Sequence, residues 1–329
     1  MLNTLFFKHL LEVERTGSIS RAADNLFMAQ PNLSKEIKEI ETDIGFAIFF
    51  RNSKGVQPTA QGKKYLAYAR NIVRQLERLD GLSQPEQLNA QVLSMALPRS
   101  AYLAQALTDF VSRLNLGVGL DIRVRETDAV QAISYLEDGW CNLGIIRYNQ
   151  RYEPAFQDLI VGKKLTWQPL WSFDNVVTFS QSHSLARAEL LQYEQLLHFP
   201  ELVPGDMDAP FLAMENNSPA VPVKVYDSVK KIYIYDRANA YELLSWTPMA
   251  YMLTDPVPED VLMHYRLIQK RCQLPNNTYK DVLVLPQGYR QTEMETLFMD
   301  CVAKAREKMD KRVQAIIKES GSSLSTVLG

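Results

Sequence analysis

The chain has 329 residues, enough for two or three domains, and its 46% hydrophobic and 22% charged content is ordinary for a globular protein with a sizeable core. No apolar run reaches the roughly 18 residues of a membrane span, and residues 1–11 flow into a helical pattern without a basic leader or a small-residue cleavage site, so neither a membrane segment nor a signal peptide is expected and a cytoplasmic location follows. The three cysteines (Cys141, Cys272, Cys301) and four histidines (His9, His183, His198, His264) lack metal-ligand spacing, and no phosphate loop or nucleophile elbow occurs; the expectation is buried thiols, no metal, no cofactor and no enzyme.

The net charge of −2 is unevenly spread: residues 1–89 hold 12 basic and 10 acidic side chains, and residues 51–78 hold seven basic ones against Glu77 alone. Leu5, Phe6, Leu10 and Val13 recur at helical spacing up to Gly17, and Ser18 or Ser20 can cap a second helix through Arg21, Ala22 and Ala23. After a turn at Phe27–Ala29, a third helix starts near Gln30 with Pro31 in its first turn. Leu33, Ile37, Ile40 and Ile44 form its apolar face, opposite Gln30, Asn32, Ser34, Lys35 and Lys38. Lysine can reach guanine O6/N7 and Asn or Gln can pair with adenine, so this front suits a major groove; the plainer reading is a solvated face of an amphipathic helix. Phe46–Phe50 reads as a strand and 51–59 as a polar turn carrying Arg51 and Lys54, a wing fit for phosphates or a minor groove.

Together, Gly17-Ser18-Ile19-Ser20-Arg21-Ala22-Ala23, Gln30-Pro31-Asn32-Leu33-Ser34-Lys35-Glu36-Ile37, Glu41, Gly45, Phe49, Arg51, Gly55 and Pro58-Thr59-Ala60-Gln61-Gly62 resemble the LysR-type winged helix-turn-helix in order and spacing over about 65 residues. Ala29, Asn32 and Pro58 depart from its usual Ser, Ala and Leu. The resemblance implies a DNA-binding transcription regulator with Ser20, Arg21, Gln30, Pro31, Asn32, Ser34, Lys35, Lys38, Arg51 and Lys54 at double-stranded DNA. It divides the chain into residues 1–59 (DNA-binding domain), 60–89 (linker helix and hinge) and 90–329 (effector-binding domain).

From Ala60 to Leu82 the pattern is helical, and Tyr65, Ala69, Ile72, Leu76 and Leu79 form a short a/d stripe. The stripe either packs on its own domain or, as the resemblance implies, makes a homodimer or homotetramer. Beyond a hinge at Gly81–Gln87, strands at 92–97, 120–126 and 143–146 alternate with helices from Tyr102 and Asp128, a βαβαβ order that reads as a doubly wound parallel α/β sheet. The resemblance extends this to two lobes like those of periplasmic binding proteins: lobe I at 90–167 and 273–329, lobe II at 168–272, with crossings near 168 and 272. Lys280–Leu285 and a helix from Thr292 complete lobe I, and Ser182–Ala186 resembles a family turn in which His183 stabilises the chain.

Ligands of open α/β sheets lie beyond the carboxyl ends of the strands. Ser100 and Thr127 follow the first two strands at helix starts, where free N–H groups favour an anion; both equally suit plain N-caps. Arg147, past the third strand, can pair with a ligand carboxylate or with a nearby acid. A small-molecule effector between the lobes, anionic by this geometry, is therefore expected, although Asp206 and Asp208 count against a strongly anionic one and the atypical Trp246-Thr247-Pro248 turn is expected to narrow the pocket. The alternatives are a small-molecule-binding protein or enzyme sharing only the α/β lobes, and a constitutive regulator with no effector.

Overall fold

A computed structural model describes residues 4–52, 55–81, 91–188, 191–205, 230–235, 237–274 and 276–321. Lys54, Asp206, Asp208 and the hinge beyond Gly81 lie outside these residues, as do the side chains of Arg51 and Leu79.

In the N-terminal module, α1 (Thr4–Thr16) stops at Gly17, whose φ of +62° suits a residue without Cβ. Ser18, not Ser20, caps α2 (Ile19–Asn25) by accepting from the Arg21 N–H. The third helix, α3 (Gln30–Ile44), carries Pro31 in its first turn and ends at Gly45, again left-handed. Its apolar face, Leu33, Ile37 and Ile40, joins Leu10, Val13, Ile19, Ala22, Ala23, Ile48 and Leu66 in one core.

The wing differs from the sequence expectation. Phe46–Phe50 is not a strand; β1 starts at Phe49 and runs to Asn52, and β2 (Gly55–Pro58) takes up four residues of the expected turn, pairing antiparallel with β1. Glu41 explains the shift. Its carboxylate accepts from the backbone N–H groups of Ile48 (2.7 Å) and Phe49 (3.0 Å), so the chain is held to α3 where pairing would otherwise begin. The Val56 N–H bonds the Gly17 carbonyl at 2.9 Å, and a Cβ on Gly55 would stand 2.6 Å from that same oxygen, so the wing's return strand lies directly on the turn after α1.

Helix α4 (Ala60–Gly81) packs along α1 through Tyr65, Ala69 and Val73 against Phe7, with Arg70 paired to Glu14 at 2.5 Å.

In the C-terminal part, β3 (Gln91–Leu97), β4 (Leu120–Glu126), β5 (Leu143–Asn149), β6 (Leu165–Asp174) and β12 (Thr278–Pro286) form a sheet of order β4-β3-β5-β12-β6. Strands β3 and β5 are parallel, but β12 runs antiparallel to both β5 and β6, so the sheet is mixed and not wholly parallel. Helix α5 (Ala101–Val111) packs on the long C-terminal helix (Glu293–Gly321), with the rings of Phe110 and Phe298 edge to face at 5.7 Å. The second sheet, order β11-β7-β10-β8-β9, comprises β7 (Val176–Ser180), β8 (Glu201–Pro204), β9 (Lys231–Ile234), β10 (Tyr251–Thr254) and β11 (Leu267–Lys270).

The crossing falls later than residue 168: β6 stays in the first sheet through Asp174, and the chain enters the second at Val176. The outgoing and returning segments touch, the Asn277 side-chain amide donating to the Asn175 carbonyl at 2.7 Å.

Candidate functional site

On α3, Pro31, Asn32, Lys35 and Lys38 are exposed, and Gln30 and Ser34 are half-buried. Lys35 Nζ lies 3.7 Å from Glu39, a contact of little energetic weight at an exposed site. The N-cap of α3 is Ala29, which has no side chain to accept from the first turn, so the peptide dipoles there face outward without a capping oxygen. Ser20 is exposed on α2, and the neighbouring Arg21 guanidinium donates to the Thr16 carbonyl at 2.8 Å. Arg51 lies on β1. The face thus gathers a helix start, two lysines and an amide on one small module. Exposed Lys63 and Lys64, at the start of α4, add to its positive charge.

The α4 stripe divides. Tyr65 is half-buried and Ala69 fully buried against the chain's own α1, so Ala69 is not available to a second copy. Among the described side chains of this helix, the exposed apolar ones are Ile72 and, off the expected stripe, Tyr68; Leu76 is half-buried.

In the C-terminal part, Ser100 and Arg147 are brought together by two carboxylates that the sequence reading missed. Arg147 and Asp281 are cross-strand partners on β5 and β12, and the guanidinium forks onto the Asp281 carboxylate at 2.7 and 2.8 Å. Its outer edge faces Asp255, just past β10, at 3.2 Å. The Ser100 hydroxyl donates to the same Asp255 carboxylate, and the Tyr102 hydroxyl donates to Asp281 at 2.6 Å. Ser100, Tyr102, Asp255 and Asp281 are all buried, and the guanidinium stacks on the Phe173 ring at 4.7 Å.

Burial works against the charge of Arg147, but the two aspartates outweigh it and hold its pKa well above the usual guanidinium value; burial and Asp281 likewise push the Tyr102 phenol well above the ordinary tyrosine range. One cation against two anions leaves the group net negative, opposite to what an anionic effector requires.

Ser100 stands at the N-cap of α5 but does not cap it, because its hydroxyl is turned to Asp255. Thr127 is half-buried and bonds the Leu97 carbonyl through its own N–H, while Asp128 accepts from the Gln131 N–H at the start of the next helix, α6 (Ala129–Glu137). The N-cap reading therefore fails for both side chains.

Asp255 is held from behind. Gln269 donates to the Asp255 carbonyl (3.1 Å) and to Thr178 and Thr254 (3.0 Å each), and it accepts from the Val257 N–H (2.9 Å). The sequence signal for this site was Asp281, a charge at the head of the apolar run Val282–Leu285 of β12, which must be paired when buried.

Elsewhere, His183 accepts from the Leu185 N–H at 3.0 Å, the turn-stabilising role expected of it, and the three cysteines are buried. On β8, burial raises the Glu201 carboxyl to about 7, with Lys231 acting against the shift. A carboxyl raised above its unfolded value contributes stability at low pH that is lost as pH rises through about 7. Glu201→Gln is therefore expected to gain on the order of 2 kcal/mol relative to the parent between pH 4.5 and pH 8. Urea unfolding across that range reads it; parallel pH profiles would refute it.

Residues 6–63 match the model of the bacterial regulatory helix-turn-helix protein of the lysR family. The chain thus carries a helix-turn-helix of the lysR family over these residues. It is 28% identical over 142 residues to the probable cat1 operon transcriptional activator of Acinetobacter lwoffii, a match spanning 43% of this chain and 47% of that one, less than half of the relative's length. Two LysR-type structures are similar over nearly their whole length. One is full-length CbnR complexed with its target DNA (TM-score 0.55, 15% identity, 92% of this chain and 100% of that one). The other is LysG from Corynebacterium glutamicum with bound effector Arg (TM-score 0.56, 16% identity, 93% and 99%). At these identities the likeness is one of fold, and it takes in the two-sheet LysR-type C-terminal part as well as the helix-turn-helix.

Proposed function

We propose that this LysR-type chain is a sequence-specific DNA-binding transcription regulator, not an enzyme, acting in the cytoplasm as a homo-oligomer. The carrying observation is α3 itself: Asn32, Lys35 and Lys38 are exposed opposite a buried Leu33–Ile37–Ile40 face, inside the stretch that matches the family model. Ser20, Arg21, Gln30, Pro31 and Ser34 complete the base- and phosphate-facing set, with Arg51 and Lys54 of the wing on the backbone. Among the described residues no helix is long and apolar enough to cross a membrane. Ile72 and Leu76, joined by Tyr68, are the positions on α4 for a second copy.

Lys35→Ala is expected to cost about 1–3 kcal/mol on the preferred duplex and to relax base preference, whereas Lys54→Ala weakens all sequences alike. Quantitative gel shifts on selected and random duplexes distinguish the two; equal losses on both duplexes for both variants would contradict these roles.

For the C-terminal part, the first reading is a small-molecule effector between the lobes, supported by the fold shared with LysG, whose structure holds Arg. The net-negative Arg147 group disfavours the anionic effector that Ser100, Thr127 and Arg147 suggested by sequence. A second reading, a regulator that responds to no anion, is favoured by the engagement of Ser100 and Arg147 with Asp255.

A further inference from the structure

We infer that lobe I carries a carboxylate-binding site whose occupant is the chain's own Asp255, so that the two lobes are joined by an internal ligand. The receptor half is complete on lobe I. Asp281 and Arg147 are cross-strand neighbours, and the close fork between them at 2.7 and 2.8 Å fixes the guanidinium in its plane against Phe173. Only the outer edge of that guanidinium is left to a further acceptor. Ser100 aims its hydroxyl at the same place from the start of an 11-residue helix, leaving its own helix uncapped to do so. The converging group is a guanidinium edge, a hydroxyl donor and a helix N-terminus, the donor set for a single carboxylate.

Asp255 alone of this group comes from the second lobe, and it meets both donors, Arg147 at 3.2 Å and Ser100 by a short hydrogen bond. Its loop is not loosely placed, since the Gln269–Thr178–Thr254 network fixes the Asp255 backbone. Ala101 packs in the same apolar cluster as Leu202, Leu244 and Leu262, so the polar contact sits on an apolar lobe-to-lobe seam.

A tethered carboxylate competes at a high effective concentration, so a free small carboxylate has no access while Asp255 is present. The site is then a latch that needs no metabolite to close, and removing its occupant converts it into a receptor for short carboxylates. This deepens the second reading above. Its first readout requires no DNA, so it stands or falls separately from the DNA-binding proposal.

The test uses the full chain with Asp255→Ala and formate and acetate as probes. The variant is expected to melt lower than the parent and to regain several degrees, saturably, with millimolar formate or acetate but not with chloride at equal ionic strength. The parent shows no carboxylate-specific gain, and Asp255→Ala combined with Arg147→Met loses it. If Asp255→Ala does not fold in plain buffer, refolding from denaturant in formate against chloride gives the same reading: recovery in formate alone supports the latch. The inference is overturned by equal responses to formate and chloride, by an equal response in the parent, by a response that survives Arg147→Met, or by no recovery in either salt.

Discussion

Arg147→Met is expected to cost about 3–5 kcal/mol of folding free energy, among the largest losses any single substitution in this chain would give. The reason is what it leaves behind. Asp281 is fully buried and Asp255 nearly so, and Arg147 is the one cation within ion-pair distance of either among the described residues. Tyr102 and Ser100 still donate to the two carboxylates, but neutral donors do not offset the desolvation of two like charges. The lost stacking of the guanidinium on Phe173, worth about 1–2 kcal/mol, is a smaller part of the effect. Arg147→Lys should recover only part of the loss, because a single ammonium cannot fork onto Asp281 and still face Asp255. Adding Asp255→Asn and Asp281→Asn to Arg147→Met should restore most of the stability, since a neutral buried group can match an ionic one. Urea unfolding of the two single variants and the triple variant decides this; a loss under 1 kcal/mol for Arg147→Met would mean that water reaches the two aspartates.

The N-terminal module was legible because its signals are local. Gly17 and Gly45 stop helices, Pro31 opens one, and the Leu33–Ile37–Ile40 spacing names the face that turns inward. The interlobe group was not legible, because its partners are far apart in the chain: Arg147 lies 108 residues from Asp255 and 134 from Asp281, and Ser100 lies 155 from Asp255. Sequence could supply Ser100 at a strand end and Asp281 as a charge beside an apolar run, but it ended β5 at Ile146, where the strand runs on through Arg147 to Asn149, and it could not say which side chains meet. The late crossing has a different cause. Pro169 interrupts what would read as one strand, yet β6 tolerates it as an edge strand with an irregularity in its register opposite Asp281 and Val282. On α4 the stripe is real, but periodicity cannot say whether Tyr65 and Ala69 face the chain's own α1 or another copy; their packing, with Val73, on Phe7 of α1 decides for α1.

Gly62→Ala is expected to destabilise the N-terminal module by about 3 kcal/mol, against the sign of helix propensity, which favours Ala over Gly by roughly 0.5–1 kcal/mol. A Cβ on Gly62 would stand 1.9 Å from the Ile48 carbonyl oxygen and 2.8 Å from its carbon, and neither is the movable end of a side chain. Ile48 is fully buried, and its carbonyl also accepts from the Thr59 N–H at 2.9 Å. Thr59 in turn donates to the Ala47 carbonyl (2.7 Å) and caps α4 by accepting from the Gly62 N–H (2.8 Å). Moving the first turn of α4 away from Ile48 would pull on this knot of bonds, and moving Ile48 would pull on Glu41, which anchors the same residue to α3. Either way the wing loses its fixed position relative to α3. Binding to a preferred duplex should therefore fall along with stability, even at temperatures where the variant remains folded. Thermal unfolding and gel shifts on one preparation test both halves. A Gly62→Ala chain as stable as the parent would show that the backbone at Ile48 can yield, and one that is less stable yet binds duplex normally would show that wing placement does not limit binding.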